Sequence, residues 1–216
     1  AQYNTCMMIS YLNKPNLVTL TGMIVALASC FLASKGYLNM AMVGLIVAGI
    51  CDLFDGFVAR QEELSEEEQA FGAQLDSLND VVCFGVLPIT ILNQWINNTW
   101  FFPIFAVYLI AVLFRLAYFN VHGTQTETED PEAQRYYTGL PVTYVALVIP
   151  LLGLLAIALP DVLSKLYLSL LCLGLSAAYT LQYPVPKPGG KAYLAFPILA
   201  LVTALIWFWA PWGPLA

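Results

Sequence analysis

Residues 38–60 read LNMAMVGLIVAGICDLFDGFVAR, an apolar run that carries Asp52 and Asp55 near one end and stops at Arg60. About 20 mostly apolar residues in a helix rising 1.5 Å per residue cross the hydrocarbon core of a bilayer, so this stretch is expected to span a membrane. A second apolar stretch, residues 71–95, carries Asp76 and Asp80 close to its own start. An aspartate at the centre of such a helix costs about 2.5–3.5 kcal/mol to insert, and four would cost on the order of 10 kcal/mol if nothing compensated them. A divalent cation is the simplest compensating partner.

The rest of the chain fits the same reading. Of its 216 residues 60% are hydrophobic and 10% charged, whereas soluble domains carry about a quarter charged residues. Apolar runs at residues 17–34, 38–59, 71–95, 100–119, 139–159, 162–181 and 193–209 predict an all-α polytopic membrane bundle of about six to eight spans. The whole chain, residues 1–216, reads as a single domain without internal repeats. The stretch at residues 11–16 reads as a short interfacial entry to the first span, and residues 1–12 lack the pattern of a cleavable signal peptide.

Basic residues set the expected orientation. Lys14, Arg60, Arg115, Arg135, Lys187 and Lys191 fall on one side of the spans, while Lys35 and Lys165 fall on the other. The positive-inside bias then places the first side, with the longest polar loops, in the cytoplasm. The net charge is −6 and the eight basic residues are scattered, which gives no surface for a nucleic acid. Glu62, Glu63, Glu66, Glu67 and Glu68 read as a solvated connector. Cys6, Cys30, Cys51, Cys83 and Cys172 show no paired metal-ligand spacing and read as free thiols.

Asp52 and Asp55 are three apart and Asp76 and Asp80 four apart, so each pair occupies one face of its helix. The two helices are consecutive and antiparallel, and Asp55 and Asp76 lie at similar distances from the connector. Four carboxylates are therefore expected to converge. Hard oxygen ligands without His or Cys favour Mg2+ or Mn2+, with Ca2+ also accommodated, and four carboxylates suffice for two ions. Such a pair suits phosphoryl chemistry. Intramembrane acids also line ion pathways, so a cation transporter is the alternative from another class.

In order, Asp52-x2-Asp55-Gly56-x2-Ala59-Arg60 and Gly72-x3-Asp76-x3-Asp80 resemble the signature of the CDP-alcohol phosphotransferase family. The Arg60–Gly72 gap is longer than the family pattern usually has, and the additional length falls in the Glu-rich connector. Further stretches resemble the serine-transferring branch: Leu75-Asp76-Ser77-Leu78, Phe84-Gly85-Val86-x-Pro88, Arg115-Leu116-Ala117-x-Phe119-Asn120-Val121 and Gly139-Leu140-Pro141. Tyr183-Pro184 before Lys187 is similar to a basic loop of that branch. Cys83 stands where a small hydroxyl residue is common, and Tyr118 where a second arginine is common.

The resemblance implies a helical membrane enzyme, usually a homodimer, that moves a phosphatidyl group from CDP-diacylglycerol to an alcohol and releases CMP. It implies that Asp52, Asp55, Asp76 and Asp80 bind two divalent metals and that Asp80 is also the general base. It places Gly56, Ala59, Arg60 and Gly72 at the CDP site, with Asn16 and Ser77 as further candidates. Arg115 is a candidate for the donor phosphate or the carboxylate of L-serine, because a guanidinium matches either oxyanion. A cytoplasmic site would let soluble serine meet a donor whose acyl chains stay among the membrane lipids. Glycerol phosphate and inositol phosphate are the alternative acceptors; both are anionic and call for more basic side chains than this chain offers.

Overall fold

The computed structural model describes residues 11–122, 136–181, 183–186 and 192–210, and the fold over them is almost entirely helical. Helix α1 runs Lys14–Ser34, α2 Leu38–Ala59, α3 Glu66–Asp80, α4 Leu87–Ile96, α5 Phe102–His122, α6 Val145–Ile157, α7 Asp161–Thr180 and α8 Ala192–Trp209. A π-helical segment, Val81–Val86, joins α3 to α4, so residues 66–96 form one continuous rod. Five helical stretches are long and apolar enough to cross a membrane, and two shorter apolar helices accompany them. Each expected span thus appears as a helix. The span expected at residues 139–159 is one of the short ones, because Gly139–Pro141 forms a non-helical corner and a 3-10 turn at Val142–Tyr144 takes up the start of that run.

Small residues set the pairing of α1 with α2. A Cβ added to Gly22 would lie 3.1 Å from that of Cys51, and one added to Gly44 would lie 1.7 Å from the Ser29 hydroxyl. The two contacts fix one antiparallel register, with backbones close enough that only small side chains fit between them. Ala26, Ala33, Ala41 and Ala48 are buried along the same helices. The core continues through Phe84, Leu87, Ile91, Tyr108, Val112 and Ile149. Helix α8 docks through Trp207, which is fully buried and donates its indole N–H to the Pro150 carbonyl at 2.9 Å. The many exposed leucines, phenylalanines and valines on the outer faces are what a lipid-facing surface requires.

The connector between α2 and α3 is more ordered than a solvated loop. Ser65 caps α3 and exchanges hydrogen bonds with Glu68 in a capping box, while Glu66, Glu67 and Glu68 occupy the positive first turn. Lys14 pairs with Glu62 at 2.7 Å, the Tyr11 hydroxyl donates to Glu67, and the Tyr11 ring stacks on Phe71 with centroids 4.4 Å apart. Hydrogen bonding to Glu67 raises the Tyr11 phenol above its ordinary range. Three of the five glutamates therefore hold structure, and the entry to α1 is fastened onto the connector.

A two-stranded ribbon that the apolar pattern did not foretell lies on that side. Strand β1, Tyr136–Thr138, pairs antiparallel with β2, Pro184–Pro186, joining the loops before α6 and after α7. Prolines at both ends of β2 limit its donors, so the ribbon stays short. Cys6, Arg135, Lys187 and Lys191 lie outside the described residues.

Candidate active site

Helix α1 packs against both α2 and α3 on the connector side, and this holds carboxylates from the two helices toward one another. One carboxylate oxygen from each of Asp52, Asp76 and Asp80 lies within 4.8 Å of the others. Asp80 is buried, with 6% of its surface exposed. Asp76 Oδ1 and Asp80 Oδ1 are buried and have no hydrogen-bond partner among the described residues. Neither Arg60 nor Arg115 pairs with these acids among the described residues, so salt bridging does not account for them.

A buried carboxylate oxygen without a donor is costly. Three carboxylates around one point, two of them with such an oxygen and with no His or Cys among them, match the donor set of a hard divalent cation. The residues present therefore fit a metal: Asp52, Asp76 and Asp80 would hold it.

Asp55 stands next to this group, close enough to Asp76 and Asp80 for its charge to act on them, and one of its oxygens is already engaged. It is buried on the α1 side of α2, and its Oδ2 accepts a 2.6 Å hydrogen bond from the Thr19 hydroxyl, which also lies 3.2 Å from the Pro15 carbonyl. The close packing of α1 on α2 supplies this partner across 36 positions of sequence. Thr19 was not legible as a site residue, because a threonine in an apolar helix ordinarily bonds its own backbone four residues back.

The remaining candidates divide between the site and its supports. Arg60 is the exposed C-cap of α2, and its guanidinium lies 3.9 Å from where a Gly56 Cβ would stand, with nothing else that close. Gly56 thus leaves open space beneath Arg60, and Ala59 is half-buried beside it. Gly72 faces Asn16: an added Cβ would fall 3.2 Å from Asn16 Oδ1. Asn16 is buried and donates its amide to the Tyr11 carbonyl at 2.8 Å, so it fastens the α1 entry while lying against α3.

Ser77 and Arg115 turn away from the aspartate cluster. The Ser77 hydroxyl lies 3.0 Å from both the Ala73 carbonyl and Asn120 Oδ1, on the α5 side of α3. Arg115 is buried rather than reaching for the interface, and its Nε donates to the Leu140 carbonyl at 3.0 Å and its Nη2 to the Gly139 carbonyl at 3.4 Å. Gly139 there adopts φ +79°, its N–H bonds the Tyr183 carbonyl at 2.8 Å, and a side chain would meet the Leu181 carbonyl at 3.0 Å. Only glycine suits such a conformation and approach. The arginine and the Gly139-Leu140-Pro141 corner therefore form one clamp between α5, α6 and α7. His122 stacks on Tyr118, with centroids 4.2 Å apart, at the exposed end of α5.

Comparison with known proteins agrees with this arrangement. A family model described as CDP-alcohol phosphatidyltransferase matches residues 12–181. The chain belongs to the CDP-alcohol phosphatidyltransferase family. The match takes in both aspartate pairs and ends before α8. The chain is 33% identical over 177 residues to the CDP-diacylglycerol–serine O-phosphatidyltransferase of Helicobacter pylori, covering 79% of this chain and 71% of that protein. It is 30% identical over 146 residues to the protein of the same name from Mycobacterium tuberculosis, covering 66% of this chain and 49% of the relative. It is 29% identical over 142 residues to the archaetidylserine synthase of Methanothermobacter thermautotrophicus, covering 65% of this chain and 57% of the relative. The aligned region thus spans between about half and seven tenths of these family members.

Proposed function

We propose that this protein transfers a phosphatidyl group from CDP-diacylglycerol to the hydroxyl of L-serine, giving phosphatidylserine and CMP. The observation that carries the reading is the group of buried Asp80 with half-buried Asp52 and Asp76, two of whose oxygens lack any described donor. It lies in a family member whose relatives from two bacteria and an archaeon are named for serine transfer.

The serine hydroxyl is a poor nucleophile at neutral pH and must lose its proton as it attacks. Asp80 is the base in this reading. It takes the proton while the serine oxygen forms a bond to the phosphorus that bears diacylglycerol, and the bond from that phosphorus to the bridging oxygen breaks to release CMP. Two divalent cations, Mg2+ or Mn2+ with Ca2+ also accommodated, would be held by Asp52, Asp55, Asp76 and Asp80 and would neutralise the diphosphate and the departing CMP. Arg60, above the open space at Gly56, contributes positive charge on the CDP side, with Ala59 and Gly72 leaving room for the nucleotide. Asn16 and Ser77 act on this reading by holding α1 and α5 against α3, and Arg115 by holding the corner at Gly139.

The connector, with Lys14 and Arg60, belongs on the cytoplasmic side, and Lys35 and Lys165 on the opposite side. The acyl chains of the donor then remain among membrane lipids while serine arrives from water. A homodimer completes the proposal, testable by the mass of the detergent-solubilised particle.

The purified protein should release CMP from CDP-diacylglycerol and L-serine with Mn2+ or Mg2+. Absence of CMP with every alcohol tried would overturn the transferase reading. Release with inositol phosphate or glycerol phosphate but not serine would keep the chemistry and discard the acceptor.

A further inference from the structure

The turn that follows Asp80 raises a question of backbone accounting. In a helix the N–H of each residue bonds the carbonyl four positions back, and proline has no N–H to give. Pro88 therefore leaves the carbonyls before it one donor short, Cys83 in the five-residue register of the π turn and Phe84 in the four-residue register that resumes with α4, deep in an apolar interior where an unmet carbonyl is costly. Phe84 and Leu87 are fully buried, so water does not substitute.

A side chain from another helix meets the need. Tyr108 of α5 is fully buried, and its hydroxyl donates to the Phe84 carbonyl at 2.6 Å. Gly85 lies at the same approach, where a Cβ would come within 2.9 Å of Leu109 Cδ1 on α5 and displace the end of that leucine. The bond closes on the π-helical segment Val81–Val86, where the Leu87 N–H reaches back five residues to the Val82 carbonyl. That segment starts at the residue after Asp80. A π turn changes the rotation of the chain and so sets how the apolar face of α4 is aimed relative to the carboxylate face of α3. The Cys83 thiol, 3.2 Å from Asn79 Oδ1, braces the same turn from within.

We propose that Tyr108 is a positioning residue for the aspartate site: its hydroxyl stands in for the amide N–H that Pro88 lacks and fixes the widened turn from which Asp80 projects. The proposal rests on the preceding reading that Asp52, Asp76 and Asp80 hold a divalent metal. It accounts for the Phe84-Gly85-Val86-x-Pro88 stretch as one device, in which Pro88 frees a carbonyl, Gly85 leaves room for Leu109 of α5 and Tyr108 claims the carbonyl.

The test is a rescue. Tyr108→Phe keeps the ring and removes the donor, and Pro88→Ala restores a backbone N–H four residues after Phe84. Mn2+ affinity, read as free Mn2+ by electron paramagnetic resonance, should weaken about tenfold in Tyr108→Phe, as expected when a bond supporting a metal ligand is lost. Amide exchange across residues 80–87 should quicken in the same variant. Both should return to within about twofold of the parent in Pro88→Ala/Tyr108→Phe, because the Phe84 carbonyl then regains a backbone donor and the other partner of the Tyr108 hydroxyl, Tyr179, lies on α7, away from the turn. Unchanged exchange and affinity in Tyr108→Phe overturn the proposal, and so does a loss that Pro88→Ala fails to restore. Should Tyr108→Phe not fold, Pro88→Ala is compared with the double variant: equality supports the proposal and a further loss overturns it. A parent protein that binds no Mn2+ would count against the metal reading instead, while exchange across residues 80–87 still decides the role of Tyr108.

Discussion

Asp80 and Asp55 are alike in chemistry and in burial, each with 6% of its surface exposed, yet they sit in opposite circumstances. Asp55 faces α1 and has the Thr19 hydroxyl at 2.6 Å, whereas Asp80 faces Asp52 and Asp76 and keeps one oxygen with no described donor. A donor supplied by the fold makes a buried acid a piece of structure; several acids gathered without donors make a binding site for something the chain does not contain. The region between α2 and α3 is arranged for a ligand. The region between α1 and α2 holds α2 in place for it.

Substitutions on the two sides should therefore fail differently. The largest effect is expected for Asp80→Asn, with turnover lower by about 10²–10⁴-fold while binding of CDP-diacylglycerol is largely kept; near-normal CMP release from this variant would remove Asp80 as the base. Thr19→Val should leave the Asp55 carboxylate without its donor and cost about 1–3 kcal/mol in unfolding measured in detergent, with a smaller loss of turnover than Asp80→Asn. The contrast breaks if Thr19→Val abolishes turnover at unchanged stability. Gly72→Ala sets a methyl 3.2 Å from Asn16 Oδ1, and a few-fold rise in the KM for CDP-diacylglycerol with little change in kcat is expected from displaced packing at the α1–α3 contact. The smallest effect belongs to Lys14→Ala. The Lys14 side chain is 75% exposed, so losing its bond to Glu62 should change stability by less than about 1 kcal/mol, and a larger fall in the unfolding temperature would show the connector to matter more than its surface position suggests.

Much of this was legible in the residues themselves. Apolar run length and the three- and four-residue spacing of the aspartates gave the helices and their polar faces, since both follow from helix geometry alone. The ordered connector was half legible: Ser65 and Glu68 stand in a capping-box pattern, but the partners of Glu62 and Glu67 come from the entry to α1, 48 and 56 positions earlier in the chain. The role of Arg115 was not legible, because a guanidinium suits a phosphate as well as it suits the carbonyls of Gly139 and Leu140 that it holds. For Tyr108 a signal existed in Pro88, whose missing N–H leaves the turn before it one donor short, without saying which carbonyl is affected or which helix supplies the substitute.

By itself the sequence determined that this chain crosses a membrane, which two helices carry acids, and that the acids lie near the connector on one side. Periodicity and hydrophobicity are local properties, and they suffice for that. Only the tertiary structure decided that oxygens of Asp52, Asp76 and Asp80 meet while Asp55 beside them accepts from Thr19, and that the Tyr108 hydroxyl bonds the Phe84 carbonyl. Which helix presents a donor to which acid depends on close approach at Gly22, Gly44 and Gly85, contacts between residues far apart along the chain that no local pattern contains.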